Sequence, residues 1–348
     1  MMKTFGAQKA EHAASLDRAA VITALQAAIK AALLPLIPDG RLALIDFPNH
    51  PNVGDSAIWL GEIAFLAREL RKRPAYTCST ATFSASELRA KVPDGPILIH
   101  GGGNFGTLWQ HHHKLRLDAL REFPGRPIIQ LPQSIHFDND GAIAETADAI
   151  RRHGAFILLV RDQKSLEFAR KHFDCPVHLC PDMAFYIGPV ERQVASVDFL
   201  CLMRTDTERR AGLDAPQAQG SQIIVDWLEE SATELRRTRL RARLSSAIRG
   251  NGISGHSPTV HDALASQRFR RGVAMLSQGR VVITDRLHAH IMSLLLDIPH
   301  VALDNSYGKL GNFIAAWSAG YSGLRQAGDM REAMEIGRHL LSTTGPHQ

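Results

Sequence analysis

Cysteine is scarce in this 348-residue chain: Cys78, Cys175, Cys180 and Cys201 are the only four, and they form no paired framework. That excludes a disulfide-stapled scaffold and points to reduced thiols in a cytoplasm. Long apolar runs are lacking too. No stretch of about 18 consecutive apolar residues occurs, and Met1 to Ala19 mixes Lys3, Lys9, Glu11 and Asp17 with alanines where a signal peptide would place its apolar core. Neither secretion nor a membrane span is expected. An excess of one charge is also small: 40 Lys and Arg against 35 Asp and Glu leave +5. So mild a balance argues against a nucleic-acid partner and suits small anionic substrates or an anionic membrane surface. Repeats, heptads and low-complexity tracts are absent. What is present, 45% hydrophobic and 22% charged residues, is the composition of a folded globular protein, and the length is enough for roughly two domains of ~150 residues.

The order of elements predicts the architecture. After an arm and an alanine- and leucine-rich helix near Ala20 to Leu36, short apolar runs alternate with helical patterns: Leu42 to Phe47, Ala75 to Cys78, Ile97 to His100, Pro127 to Leu131, Phe156 to Val160 and Val177 to Cys180. The rhythm restarts with Val197 to Leu202, Gln222 to Val225, Val281 to Thr284 and His300 to Leu303. Continuously apolar strands separated by helices imply parallel sheets covered on both faces. The expected fold class is therefore α/β. Residues 1–40 form an N-terminal arm and helix, 41–190 and 191–348 two Rossmann-like domains, and the Gly-Pro segment Gly188 to Ser196 is the linker between them.

In such sheets ligands bind beyond the carboxyl ends of the strands, where helix N-termini expose unpaired N–H groups. Three strand-end loops are unusual. The first, Pro48 to Asp55, carries Asn52 and two stiffening prolines; Gly54 would permit a close backbone approach and Asp55 would cap the next helix, or contact or deprotonate an acceptor hydroxyl. The second, His100 to Gly106, includes Gly101, Gly102, Gly103 and Asn104 and is expected to be a turn between strand and helix that lets a ligand approach the backbone. Its spacing meets the dinucleotide fingerprint, but no acidic residue closes the next strand, so a nicotinamide is disfavoured. The third is Asp285 to His290: with Asp285 as cap, Arg286 and His288 would fall in the first helical turn and address an anion. The adjacent loop adds Asn305, Ser306 and Lys309. Arg161 and Arg204 also stand at strand ends, and Asp182 at another could orient a site residue. No metal is expected: His111 to His113 point ~100° apart on a helix and are predicted to be a solvated face, and His172, Cys175, His178 and Cys180 match no zinc module. Arg236 to Arg249, with Leu240, Leu244 and Ile248 in a narrow apolar stripe, is an exposed helix face or, more sharply, a dock for anionic lipid or a lipid-diphosphate acceptor.

Taken in order, Asn52-Val-Gly-Asp-Ser-Ala-Ile-Trp59, His100-Gly-Gly-Gly-Asn104 with Trp109, Leu159-Val-Arg-Asp162, Pro181-Asp182, Thr284-Asp-Arg-Leu-His-Ala289 and Asp304-Asn305 resemble the polysaccharide pyruvyl transferases of bacterial exopolysaccharide and surface-glycan assembly. The resemblance implies a glycosyltransferase-B-like pair of domains, acceptor side first and donor side second. It also implies phosphoenolpyruvate as donor of a pyruvyl ketal to two hydroxyls of a saccharide, with no further cofactor. The saccharide, by this reading, is free or lipid-diphosphate-linked, and the enzyme cytoplasmic or peripheral at the inner face of the membrane. A donor with a carboxylate and a phosphate wants cations, for which Arg286, Lys309 and Arg161 are the candidates. Histidine exchanges protons near neutral pH, which makes His288 the expected acid, with Asp55 as hydroxyl base. The competing readings are a sugar-nucleotide glycosyltransferase of the same fold, which needs a base slot the sequence does not locate, and a non-catalytic glycan- or lipid-binding assembly protein.

Overall fold

The computed structural model describes residues 16–204, 221–248, 258–304 and 309–343. Helix α1 (Arg18–Leu33) leads into a first sheet built from β1 (Ala43–Ile45), α2 (Val53–Glu69), β2 (Tyr76–Cys78), α3 (Ala85–Lys91), β3 (Ile97–Ile99), β4 (Gly102–Gly106), α4 (Gln110–Glu122), β5 (Ile128–His136), α5 (Asp140–His153), β6 (Phe156–Val160), α6 (Gln163–His172) and β7 (Val177–Leu179). A second sheet follows from β8 (Val197–Leu202), β9 (Gln222–Val225), α7 (Ala232–Ile248), α8 (Pro258–Ser277), β10 (Gly279–Thr284), α9 (Leu287–Leu296), β11 (His300–Leu303), α10 (Lys309–Trp317), β12 (Leu324–Ala327) and α11 (Met330–Thr343). The first sheet runs β2-β1-β3-β5-β6-β7 with β4 added beside β5, the second β12-β11-β10-β8-β9, and every strand pairing is parallel. This is the expected α/β class in a Rossmann-like, two-domain layout.

The strands explain themselves. Ala43, Leu44, Ile45, Ile97, Leu98 and Ile99 are fully buried, as strands covered by helices on both faces must be. Helix starts carry their caps: Asp17 accepts from Ala20 N at 2.8 Å, Asn139 from Ala142 N at 2.8 Å and Asp162 from Ser165 N at 2.8 Å. The largest apolar cluster runs through α1, α2, α8 and α9 and thus through both halves. Helix α2 sits at its centre, tied to α8 by Trp59 Nε1 donating to Asp262 Oδ1 at 3.0 Å. Across the same junction His261 Nδ1 lies 2.8 Å from Thr77 Oγ1. Helix α1 with the 3-10 turn after it, Arg18–Leu36, is long and apolar enough to cross a membrane by length and composition, with a mean hydropathy of 1.7. Five of its residues, Val21, Ile22, Leu25, Ile29 and Leu33, are buried and pack into the core.

Three local expectations need correction. The glycine run is an extended strand, β4, paired with the far half of β5, because Gly102 at φ +122° and Gly106 at φ +112° take backbone conformations closed to other residues. A Cβ on Gly106 would also lie 1.9 Å from His136 O. The cap of α2 is Asn52, whose side chain accepts from Gly54 N at 3.0 Å; Asp55 lies in the first turn. In α9 the N-cap residue is Arg286, not Asp285, whose Oδ1 accepts from Arg204 N at 2.9 Å.

Candidate active site

Strand order reverses between β1 and β3 in the first sheet and between β8 and β10 in the second, and at such switch points the carboxyl ends open a crevice. The two crevices face each other. Their shared cavity, about 460 Å³, is lined from the first half by His50, Asn52, Asp55, His100, Gly103, Asn104, Trp109, His111, His112 and Arg161, and from the second by Arg204, Trp227, Leu228, Arg286, Leu287 and His288. A larger groove of about 920 Å³ lies at the opposite end of the second sheet. Its arginines are already engaged, Arg192 with Gly279 O at 2.9 Å, Arg325 with Ser322 O at 2.8 Å, Arg18 with Leu295 O at 3.3 Å and Arg280 with Asp198 Oδ1 at 3.2 Å, and it holds none of the strand-end motifs.

The cavity walls are held by ion pairs. Arg161, at the end of β6, donates from Nη1 to Asp182 Oδ2 at 2.6 Å and from Nε to Ser134 Oγ at 3.0 Å. His288 Nε2 lies 3.4 Å from the same Asp182 oxygen, within ion-pair range but without hydrogen-bond alignment. Burial would raise the Asp182 carboxyl, but His288 and Arg161 outweigh it and hold Asp182 well below the usual carboxylate range. Arg286 donates to Asp226 Oδ2 at 2.6 Å and sits over the Trp227 ring at 5.9 Å. On the other side of His288 is Gly54: a Cβ there would meet His288 Nδ1 at 2.4 Å. The close approach expected of Gly54 is to this ring.

At the mouth, Asp55 Oδ2 accepts from Asn52 Nδ2 at 2.8 Å and lies 3.6 Å from His50 Nε2. Burial pulls His50 below its ordinary value, the nearby Asp55 charge only partly opposing it. Asp55 itself, despite burial, is lowered by His50, His288 and His100. The loop that carries these residues is gripped from the second half, Arg268 Nη1 donating to Pro48 O at 3.0 Å while its Nε holds Glu230 at 2.7 Å.

Sequence reasoning missed the polar groups behind the glycine strand. Glu62 of α2 lies fully buried 2.8 Å from His100 Nδ1 and accepts from Gly101 N at 2.8 Å, while His100, a cavity-lining residue, has a buried Nε2 without a hydrogen-bond partner. Burial raises Glu62; burial opposes a rise in His100, but Glu62, with Asp55 and Asp46, carries its pKa above the ordinary value. Asp46, in the left-handed region at φ +73° just after β1, contacts His112 Nδ1 at 2.6 Å and Asn104 Nδ2 at 3.4 Å. Gln133 and Arg116 close the set by donating to Asn104 Oδ1 at 2.8 and 3.0 Å. The expectation of a solvated face for His111 to His113 therefore fails for two of the three: His112 and His113 are buried, because they lie on the side of α4 that packs against the sheet.

Of the residues singled out from sequence, Asn52, Asp55, Gly103, Asn104, Arg161, Arg204, Arg286 and His288 converge on the cavity. Gly54, Asp182, Gly101 and Gly102 stand directly behind it, Gly102 within 3.4 Å of Asp55 Oδ1 if it carried a Cβ. Asn305 and Ser306 lie outside the described residues, as does the side chain of Lys309, which opens α10.

Comparison with known proteins bears on this cavity. The family described as polysaccharide pyruvyl transferase matches residues 52–307. "Pyruvyl transferase 1" of Schizosaccharomyces pombe is 33% identical over 295 residues, covering 80% of this chain and 70% of that protein. EpsO of Bacillus subtilis is 29% identical over 298 residues, 84% and 90% of the two chains. Among solved structures, an uncharacterised Klebsiella pneumoniae protein superposes with a TM-score of 0.58 at 18% identity, over 87% of this chain and 98% of that one, a likeness of fold.

Proposed function

The chain belongs to the polysaccharide pyruvyl transferase family, and on that premise we propose that its cleft transfers the pyruvyl group of phosphoenolpyruvate to two hydroxyls of one saccharide as a ketal. The observation that carries this reading is the convergence of Arg161, Arg204 and Arg286 with five imidazoles in one cavity of about 460 Å³. A donor with two anionic groups needs that cation set, and a reaction that moves protons needs the imidazoles.

The transfer balances without a redox partner or further cofactor. C3 of the donor gains a proton, one acceptor hydroxyl oxygen bonds to C2, the C2–O bond to phosphate breaks, and a second hydroxyl oxygen takes its place. The two hydroxyl protons end, in net, on C3 and on phosphate. His288 is the acid for C3, fixed between Gly54 and Asp182. His50, held neutral by burial, takes the hydroxyl proton, and Asp55, already ionised, orients it rather than acting as the base. His100, whose pKa Glu62 raises above the ordinary value, is the cavity-lining imidazole for the departing phosphate. Trp109, exposed at the mouth, offers an apolar face to a sugar ring.

The test is phosphate release from phosphoenolpyruvate with a panel of nitrophenyl and lipid-linked glycosides, with the mass of a pyruvate ketal on the product. Thermal stabilisation separates the donor classes, since a ligand at 100 times its Kd adds ~2.7 kcal/mol. Stabilisation by nucleotide sugars and not by phosphoenolpyruvate would overturn the reading in favour of a glycosyltransferase. Stabilisation by phosphoenolpyruvate with no phosphate release on any acceptor would favour a binding protein.

A further inference from the structure

Helix α7 buries one side and leaves the other conspicuously mixed. Ala242 and Ser246 are buried on the side toward α8. Leu240, Leu244 and Ile248, four residues apart, are 60%, 57% and 86% exposed. At ~100° per residue these three fall within about 80° of one another and opposite Ala242. Arg236 and Arg243 flank the row on one side and Arg241 on the other, while Arg237 lies in line with it one turn before Leu240, all four exposed. The helix has a single carboxylate, Glu234, placed in the first turn and accepting from Gln267 Nε2 at 3.3 Å. An apolar row bordered by arginines along a helix of 17 residues is the pattern of a segment that lies in a lipid interface, with its apolar side at the acyl boundary and its cations among headgroup phosphates.

We propose that this face of α7 docks the protein on an anionic bilayer surface. Charge complementarity selects that occupant. A second copy packed on the same row would bring arginines against arginines, and a nucleic acid would engage the arginines while leaving the leucines in water. The position of the helix fits as well. Arg239 Nη2 reaches Asn49 Oδ1 at 3.4 Å, in the loop whose residues line the cleft mouth, and Trp227 and Leu228, just before α7, line the cleft itself. Arg239 lies about 140° round the helix from the centre of the apolar row, so α7 rests on the cleft rim by one side and keeps the row free on the other; the docking does not rest on the function proposed above.

The test is co-sedimentation of the full chain with phosphatidylcholine vesicles, with and without phosphatidylglycerol. The expected result is binding to the anionic vesicles only, weakening as salt is raised. Changing Arg236, Arg237, Arg241 and Arg243 to Gln should lower partitioning by about fivefold for each arginine removed. The combined Leu240→Ser, Leu244→Ser and Ile248→Ser variant should lower it about tenfold or more at fixed salt, with helical circular dichroism retained. Binding is read without turnover, so failure of pyruvyl transfer leaves the result intact. Absence of binding to anionic vesicles, or equal binding by wild type and both variants, overturns the proposal. So does a wild-type dimer that the serine variant converts to monomer without any vesicle binding, which would make the face a contact between copies.

Discussion

Replacing Gly54 with alanine tests whether the position of His288 matters for turnover. A methyl at Gly54 would sit 2.4 Å from His288 Nδ1 and 2.5 Å from its Cγ, whereas carbon atoms rest at about 3.5–4.0 Å. The ring must therefore withdraw by about 1 Å, toward Asp182 Oδ2, already 3.4 Å from Nε2. Two stability effects oppose each other. Alanine gains up to about 1 kcal/mol over glycine in a helix, and overpacking costs about 1–3 kcal/mol, so the net loss on unfolding by urea should stay within about 2 kcal/mol. Turnover should suffer far more, because displacing a reacting group by about 1 Å costs on the order of 100-fold. The assay is phosphate release from phosphoenolpyruvate at saturating acceptor, with kcat and donor KM determined separately; kcat should carry the loss. Gly141→Ala is the matched control. It too is the second residue of its helix, and its nearest neighbour, Asn139 Oδ1, is at 3.5 Å, so that variant should gain slightly in stability and keep full activity. Wild-type kcat in Gly54→Ala would refute the placement of His288 at the reacting centre.

Two further outcomes follow from buried histidines. Glu62→Gln removes the charge that raises His100; the alkaline limb of the kcat profile should move to lower pH, and His100→Asn should cost about 100-fold or more in kcat, whereas an unshifted profile in Glu62→Gln would detach the pair from catalysis. His300, fully buried, donates from Nδ1 to Ile298 O at 2.9 Å and accepts at Nε2 from His290 Nδ1 at 2.8 Å, and burial holds it down at about 4. Between pH 6.5 and 4 the unfolded chain thus binds a proton at this site that the folded chain refuses, so stability falls as pH falls through that window, by about 2 kcal/mol at pH 5 for this residue alone. Urea midpoints from pH 8 to pH 5 should fall less steeply in His300→Gln than in wild type; parallel slopes would show that His300 does not titrate out of reach.

The two sheets were legible because strands buried on both faces read as unbroken apolar runs, and the cleft was legible because parallel sheets put ligands at strand ends. β12 escaped because two exposed polar residues, Arg325 and Gln326, stand between Leu324 and Ala327, leaving neither an apolar run nor an alternation to read. β4 escaped because glycines carry no side-chain pattern at all, and only the pairing with β5 makes that segment a strand.

The buried polar partners were harder, for a reason that is itself readable. A carboxylate in a helix has the same letter whether it meets water or a histidine, and only the surroundings of the whole helix decide. In α2, however, no solvated side exists for most of its length: from Val53 to Leu66 the other charged residue is Asp55, and Ser56, Ala57, Ile58, Trp59, Gly61, Phe65 and Leu66 are all buried. A lone Glu62 in a helix without a polar face has to find a buried partner, since an unpaired carboxylate there would be too costly. The same reasoning reaches His112. With Arg116 and Ala119 it falls at i, i+4 and i+7, on the stripe that also holds Leu115, and that stripe is the buried face of α4. A histidine and an arginine on the core-facing side of a helix beside a glycine-rich strand need a buried polar network rather than solvent, and Asp46, Asn104 and Gln133 supply it.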